Sequence, residues 1–320
     1  MTPAALAARN RGRVLLAFAA VYILWGSTYL AIKYAVETIP PFFMGSTRFL
    51  FAGLLLYVVA RWRGAPAPTA SEWRASAISG ILMLGVGNGS VIWAATVVPS
   101  GIVALIIAGV PVWMVLADWI GPQHTRPRTP VLVGLAMGLA GIAILIGPRL
   151  GAGREGVDPV GATVLLLGSM SWAAGSIITR HRERPKSALV SIAIQIIVAG
   201  LAFSIATVAF GELGRFSMEN VTLRSVLAWI YLVTCGSLIG YTAYVYLLGA
   251  VSPAKAATYA YVNPVIAVVL GWAFANEALS ARTLIAATVI LAGVALITAM
   301  GGSSGTTGEH PVPLVKETAV

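Results

Sequence analysis

YTAYVYLLGAVSPAKAATYAYVNPVIAVVLGWAFANEALS, residues 241–280, sets the reading of the whole chain. It holds the end of one apolar run (224–249), a turn around Pro253 and Lys255, and a second run (254–275) stopped by Asn276 and Glu277. Runs of about 20 residues are what a helix needs to cross ~30 Å of hydrocarbon at ~1.5 Å per residue. The strict apolar/polar alternation of a membrane β-barrel strand is absent.

Outward from this stretch the pattern repeats. Apolar runs fall at 14–36, 42–60, 75–95, 101–120, 130–147, 159–179, 187–210, 224–249, 254–275 and 281–300, each bounded by charges, Pro or Gly. The first, behind Arg9, Arg11 and Arg13, is too long for a signal-peptide core and reads as a retained span. Of the 320 residues, 58% are hydrophobic and only 10% charged. Soluble domains carry about 25% charged residues, and one of this size cannot hide so much apolar surface. Disordered chains are polar, which excludes disorder for the bulk of the chain. The sequence therefore predicts an all-α membrane protein with ten transmembrane helices.

The net charge of +10 would suggest nucleic acid in a soluble protein. Here the basic residues sit between apolar runs, so they report topology and contact with the lipid bilayer, with no nucleic-acid partner. With the N-terminus inside, inner segments hold Arg9, Arg11, Arg13, Arg61, Arg63, Arg74, Arg126, Arg128, Arg180, Arg182, Arg184, Lys186, Lys255 and Lys316. Outer segments hold only Arg149, Arg154, Arg215, Arg224 and Arg282. This bias predicts both termini in the cytoplasm and an even number of spans. Residues 148–158 read as a linker between halves and 301–320 as a disordered cytoplasmic tail. The single cysteine, Cys235, excludes a disulfide framework.

The halves resemble each other. Trp25 and Lys33 match Trp172 and Arg180, and Arg48 matches Gln195, all at one offset; Pro111 matches Pro264, and LAGIA (139–143) matches LAGVA (291–295). Five spans per half force the second half upside down relative to the first. Inverted repeats are a transporter architecture, with the solute between the halves near the midplane.

Candidate site residues follow from that geometry. Pro111 and Pro264 lie mid-run, where a proline frees the carbonyl four residues back; they mark either gating helix breaks or tolerated kinks. Asn88, within GVGNGS (85–90), and Asn263 are amides in apolar runs, for substrate contact or for helix–helix hydrogen bonding. Trp25, Tyr29, Trp113, Trp172, Tyr244 and Tyr259 lie inside runs rather than in interfacial belts, for stacking on a solute or for packing. Lys33 and Arg48 stand toward the outer ends of their runs, where snorkelling or pairing with Glu37 is the favoured reading. The three histidines, His124, His181 and His310, fall in loops, span ends or the tail, and no metal cluster or nucleophile–base pair sits in the spans. No enzyme activity, metal or cofactor is expected.

WGSTYLAIK (25–33), SGIVALI (100–106), GSMSWAAGS (168–176) and the 241–280 stretch, with its Tyr-Val-Asn-Pro-Val run and Glu277, resemble the EamA-type transporters of the drug/metabolite superfamily over residues 14–300. The resemblance implies two inverted five-helix repeats, 14–147 and 159–300, in the bacterial inner membrane. It also implies export of small metabolites, amino acids or related compounds, by a monomer or homodimer. A facilitator or exchanger of sugars or nucleotides is the alternative within transport; a membrane enzyme or a sensor is the alternative outside it. The implied cavity is lined by spans 1, 3, 4, 6, 8 and 9, which contain Trp25, Asn88, Trp113, Trp172, Tyr244 and Tyr259. His124 stands where the second repeat has Glu277, which itself reads as a cap for the last helix.

Overall fold

The computed structural model describes residues 3–120, 127–146, 157–181, 185, 187–251, 256 and 258–301. Most of the expected linker, the tail beyond 301, His124 and Lys255 lie outside these residues. The described residues form ten helical rods: α1 (Arg11–Ala35), α2 (Pro41–Trp62), α3 (Ala70–Ala94), α4 (Ser100–Ala117), α5 (Thr129–Ile146), α6 (Pro159–His181), α7 (Ala188–Ala209), α8 (Leu223–Ala250), α9 (Tyr259–Ala275) and α10 (Ala281–Gly301). No strand occurs among them. Seven rods, α1–α4 and α6–α8, are long and apolar enough to cross a membrane, and α5, α9 and α10 add shorter apolar stretches.

Local chemistry sets the ends. Pro41 occupies the first turn of α2, where its missing N–H is no loss. Thr69 and Glu72 form a reciprocal capping box at the start of α3. Asn276, at φ 52°, ends α9 in the left-handed conformation that asparagine tolerates.

The rods are apolar on both faces, as lipid requires. On α2, Met44, Phe49 and Ala52 are buried while Phe51, Leu54, Leu55 and Val58 face outward. Two pairs pack backbone to backbone. In α2–α7, Gly53 lies against Ile197 and Gly200 against Leu50. In α5–α10, a Cβ on Gly134 would stand 2.6 Å from the Gly293 carbonyl oxygen. Small residues allow such approach in membranes, where dispersion contacts rather than hydrophobicity drive association.

Four rods are not uniform helices. Residues Ala20–Trp25 in α1, Ile81–Asn88 in α3 and Leu232–Gly240 in α8 are wound as wide π-turns. Such turns are uncommon and occur disproportionately at functional sites. Rod α4 is interrupted at Ala108 and Gly109, just ahead of Pro111. Pro264, by contrast, lies inside a helix that runs through from Tyr259 to Ala275. Both prolines sit mid-run, but only one stands at a break.

Candidate functional site: an aromatic cavity with unpartnered polar atoms

The three π-turns converge on an internal cavity of about 60 Å³. At roughly 10–15 Å³ per water, it has room for about four to six waters. Its walls include Trp25, Thr28 and Tyr29 of α1, Arg48 and Phe49 of α2, Asn88 of α3 and Ile107 of α4. From beyond the linker come Trp172 of α6, Ile196 of α7, Gly236, Ser237 and Tyr241 of α8, and Tyr259 of α9. Rods α2 and α7 thus join the six that the family resemblance implies.

Trp25 is the hub. Its Nε1 donates to the Gly236 carbonyl at 3.2 Å, joining the π-turns of α1 and α8. Its ring meets Trp172 edge-on at 5.7 Å, Tyr259 edge-on at 5.6 Å and Tyr244 at 5.0 Å. Edge-to-face contact sets the positive rim of one ring against the negative face of the next. Gly240 permits this crowding, because a Cβ there would lie 2.5 Å from Trp25 Nε1.

The cavity wall holds polar atoms with nothing to bind. Arg48 Nη1, Asn88 Oδ1 and Trp172 Nε1 are sealed from solvent, with no hydrogen-bond partner among the described residues. Each such atom costs about 1–3 kcal/mol when left unpaired. Asn88 offers an acceptor, and Arg48 and Trp172 offer donors. A polar solute or water relieves all three.

Not every expected residue joins them. Tyr29, Asn88, Trp172 and Tyr259 line the cavity with Trp25. Tyr244 stands behind Trp25, its hydroxyl 3.3 Å from Ser176 Oγ. Trp113 faces elsewhere and donates to Ser169 Oγ at 2.8 Å. Asn263 is 2% exposed, off the cavity wall, with an unpartnered Oδ1.

The two intramembrane cations differ from expectation. Arg48 neither snorkels nor meets Glu37: it is 4% exposed and donates from Nε to Ser237 Oγ at 2.9 Å. Glu37 lies past the end of α1, so the i, i+4 register with Lys33 is lost, and it pairs with Arg224 instead. Lys33 Nζ reaches Glu277 Oε1 at 2.7 Å. Glu277 does not cap α10, whose start is held by Ser280. It caps α4, accepting from Ser100 N at 2.7 Å and Gly101 N at 3.0 Å. Burial pushes this carboxyl's pKa up, but the bonds from Lys33, Gly101 and Ser100 outweigh it and hold the group below the ordinary carboxylate range. Among the described residues, no three His, Cys, Asp or Glu gather where a metal would bind.

The sequence profile of the EamA-like transporter family matches residues 12–147 and again 159–299. The chain is 40% identical over 280 residues to the uncharacterized inner membrane transporter YedA of Escherichia coli strain K12, covering 87% of this chain and 88% of that protein. It is 21% identical to a probable amino-acid metabolite efflux pump of Salmonella typhimurium, covering 86% and 91%. A solved crystal structure of a protein 21% identical in sequence superposes with a TM-score of 0.64, covering 92% of this chain and 99% of the other, and so shares the fold. By these matches and its apolar rods, the chain belongs to the EamA-like transporter family and is a multi-pass transporter of the inner membrane.

Proposed function

We propose that the protein exports small metabolites, amino acids or related compounds, by alternating access between two inverted five-helix halves, 14–147 and 159–300. The observation that carries this reading is the cavity itself. It draws its walls from both halves and presents unpartnered donors and an acceptor among aromatic faces. A solute entering such a wall exchanges its water for pre-placed groups at little reorganisation cost. Three correspondences support the halves. Trp25 and Trp172, matched by offset, meet at 5.7 Å. The wide turns of α3 and α8 hold equivalent places in the two halves. Partner rods α2 and α7, and α5 and α10, pack against one another. The efflux activity named for the Salmonella relative favours export of amino-acid metabolites.

Uptake of labelled amino acids into proteoliposomes is the direct test. Saturable uptake without chemical conversion supports the reading; no uptake of any, or a converted product, defeats it. Asn88→Ala is expected to weaken binding about 5- to 100-fold, the cost of one lost hydrogen bond to a buried partner. Trp113→Phe, off the cavity wall, is expected to leave binding unchanged. Tryptophan fluorescence titration of purified protein reads both.

The topology has its own check. Reporter fusions after residues 68, 124 and 184 are expected to report cytoplasm, and fusions after 153 and 215 the outside. A cytoplasmic signal at 153 would remove the inverted arrangement. Among the described residues, no carboxylate or histidine lines the cavity, so the solute's own gradient or exchange drives export in this reading. Accumulation in liposomes only while a proton gradient stands would contradict it.

A further inference from the structure

The least explained group in the molecule is Arg48. It is 4% exposed and lies seven residues into α2, about 10 Å from the start of that helix at ~1.5 Å per residue. A guanidinium presents five N–H donors in a planar fork and keeps its charge. Here Nε is held by Ser237 Oγ at 2.9 Å, and the cation rests 4.7 Å above the Phe49 ring. Nη1 has no partner.

No described carboxylate is available to it. Glu277 is held by Lys33, Ser100 and Gly101, Glu37 pairs with Arg224, and Glu212 accepts from the amides of Phe42 and Phe43. An unpaired cation this deep is costly, and intramembrane cations of this kind face a partner or a pathway. The local backbone keeps the space around it clear: a Cβ on Gly236 would come within 2.8 Å of Arg48 Nη2.

We infer that Arg48 is the specificity-determining residue of the cavity, and that it binds the carboxylate of the transported solute through the free side of its guanidinium. This rests on the transport reading above and narrows it: an accessible carboxylate becomes a requirement, and neutral analogues of the same shape are rejected. Ser237 is a positioning residue, fixing the fork by its bond to Nε. Asn88 Oδ1, on the same wall, accepts from a donor elsewhere on the solute.

The test uses the full-length purified protein and two isosteric pairs, propionate with propionamide and benzoate with benzamide. Binding is read by tryptophan fluorescence and thermal shift. In the wild type, at least one acid is expected to bind about tenfold or more tighter than its amide, since charge-assisted bonds are about twice as strong as neutral ones. Arg48→Gln should abolish that ratio, the acid losing more affinity than the amide. Arg48→Lys should keep part of it, as a point charge without the fork. Ser237→Ala, which leaves the charge in place, should reduce the ratio severalfold.

No preference for either acid in the wild type overturns the inference, as does no binding of the four compounds. A folded Arg48→Gln that retains the ratio overturns it too. If Arg48→Gln does not fold, an unchanged ratio in both Arg48→Lys and Ser237→Ala overturns it. The liposome assay separates the two readings. Acid preference in binding without uptake of any solute defeats export and leaves the Arg48 site standing. Uptake of neutral solutes with no acid preference defeats the site and leaves export standing.

Discussion

Glu277→Ala is expected to destabilise the folded protein by about 2–4 kcal/mol, read as a fall in the thermal unfolding midpoint of detergent-purified protein. The carboxylate is 8% exposed and works in three places at once. It neutralises Lys33 at the end of α1, it accepts from Ser100 N and Gly101 N at the start of α4, and it does so from the connection after α9. Removing it leaves an ammonium and two amides short of a partner. Lys33→Met, which spares the cap, should cost less, because that ammonium is 28% exposed and partly solvated already. The sign of the pH dependence follows from the depressed carboxyl. The contribution is complete above the unfolded carboxylate range near ~4.3 and is lost as pH falls through the lower folded value. The wild type should therefore lose stability relative to Glu277→Ala only in acid. A midpoint difference that persists unchanged well below that range would remove the charge from this account.

Gly134→Leu is expected to abolish the folded protein, seen as loss of the monodisperse peak after solubilisation. A Cβ at this position meets the Gly293 carbonyl oxygen at 2.6 Å and the Ile297 amide nitrogen at 3.1 Å. Those are backbone atoms, so no side-chain rotamer gives way, and α5 and α10 must separate along their length. Even the milder Gly134→Ala should cost about 1–3 kcal/mol, the usual range for overpacking. Gly249→Ala is the control, since a Cβ there meets nothing within 4 Å. A Gly134→Leu protein as well behaved as that control would show that the two rods are not locked by this contact.

The sequence makes the helices legible because hydrocarbon demands a fixed length of apolar chain, and the runs deliver it. It makes Trp25, Trp172, Asn88 and Tyr259 legible because polar or aromatic groups far from the interfaces need a reason to be there. It fails on rotation. A helix that is apolar all round does not reveal which face looks inward, so Trp113 and Asn263 are indistinguishable in sequence from residues on the cavity wall. Arg48 escapes this reading too: at about 100° per residue it stands within roughly 20° of the outward-facing Leu55, yet it is buried like Met44 and Ala52. Reach along the axis suggests snorkelling, whereas the side chain turns inward to Ser237 of α8. Glu277 and Ser100 are 177 positions apart, and no spacing rule connects them.

The wide turns of α1, α3 and α8 bear on how such chains gain and lose length. A wide turn stores more chain per revolution than its neighbours. Deleting one residue from 81–88 lets the turn relax to ordinary winding and takes up the loss locally: residues inside the turn face new directions, and those beyond it keep theirs. Asn88 would then swing off the wall while both ends of α3 stayed anchored. Insertions and deletions in most proteins collect in surface loops. Here the middle of a buried helix is a second place where a single codon can come or go, and what changes is the lining of the cavity rather than the fold.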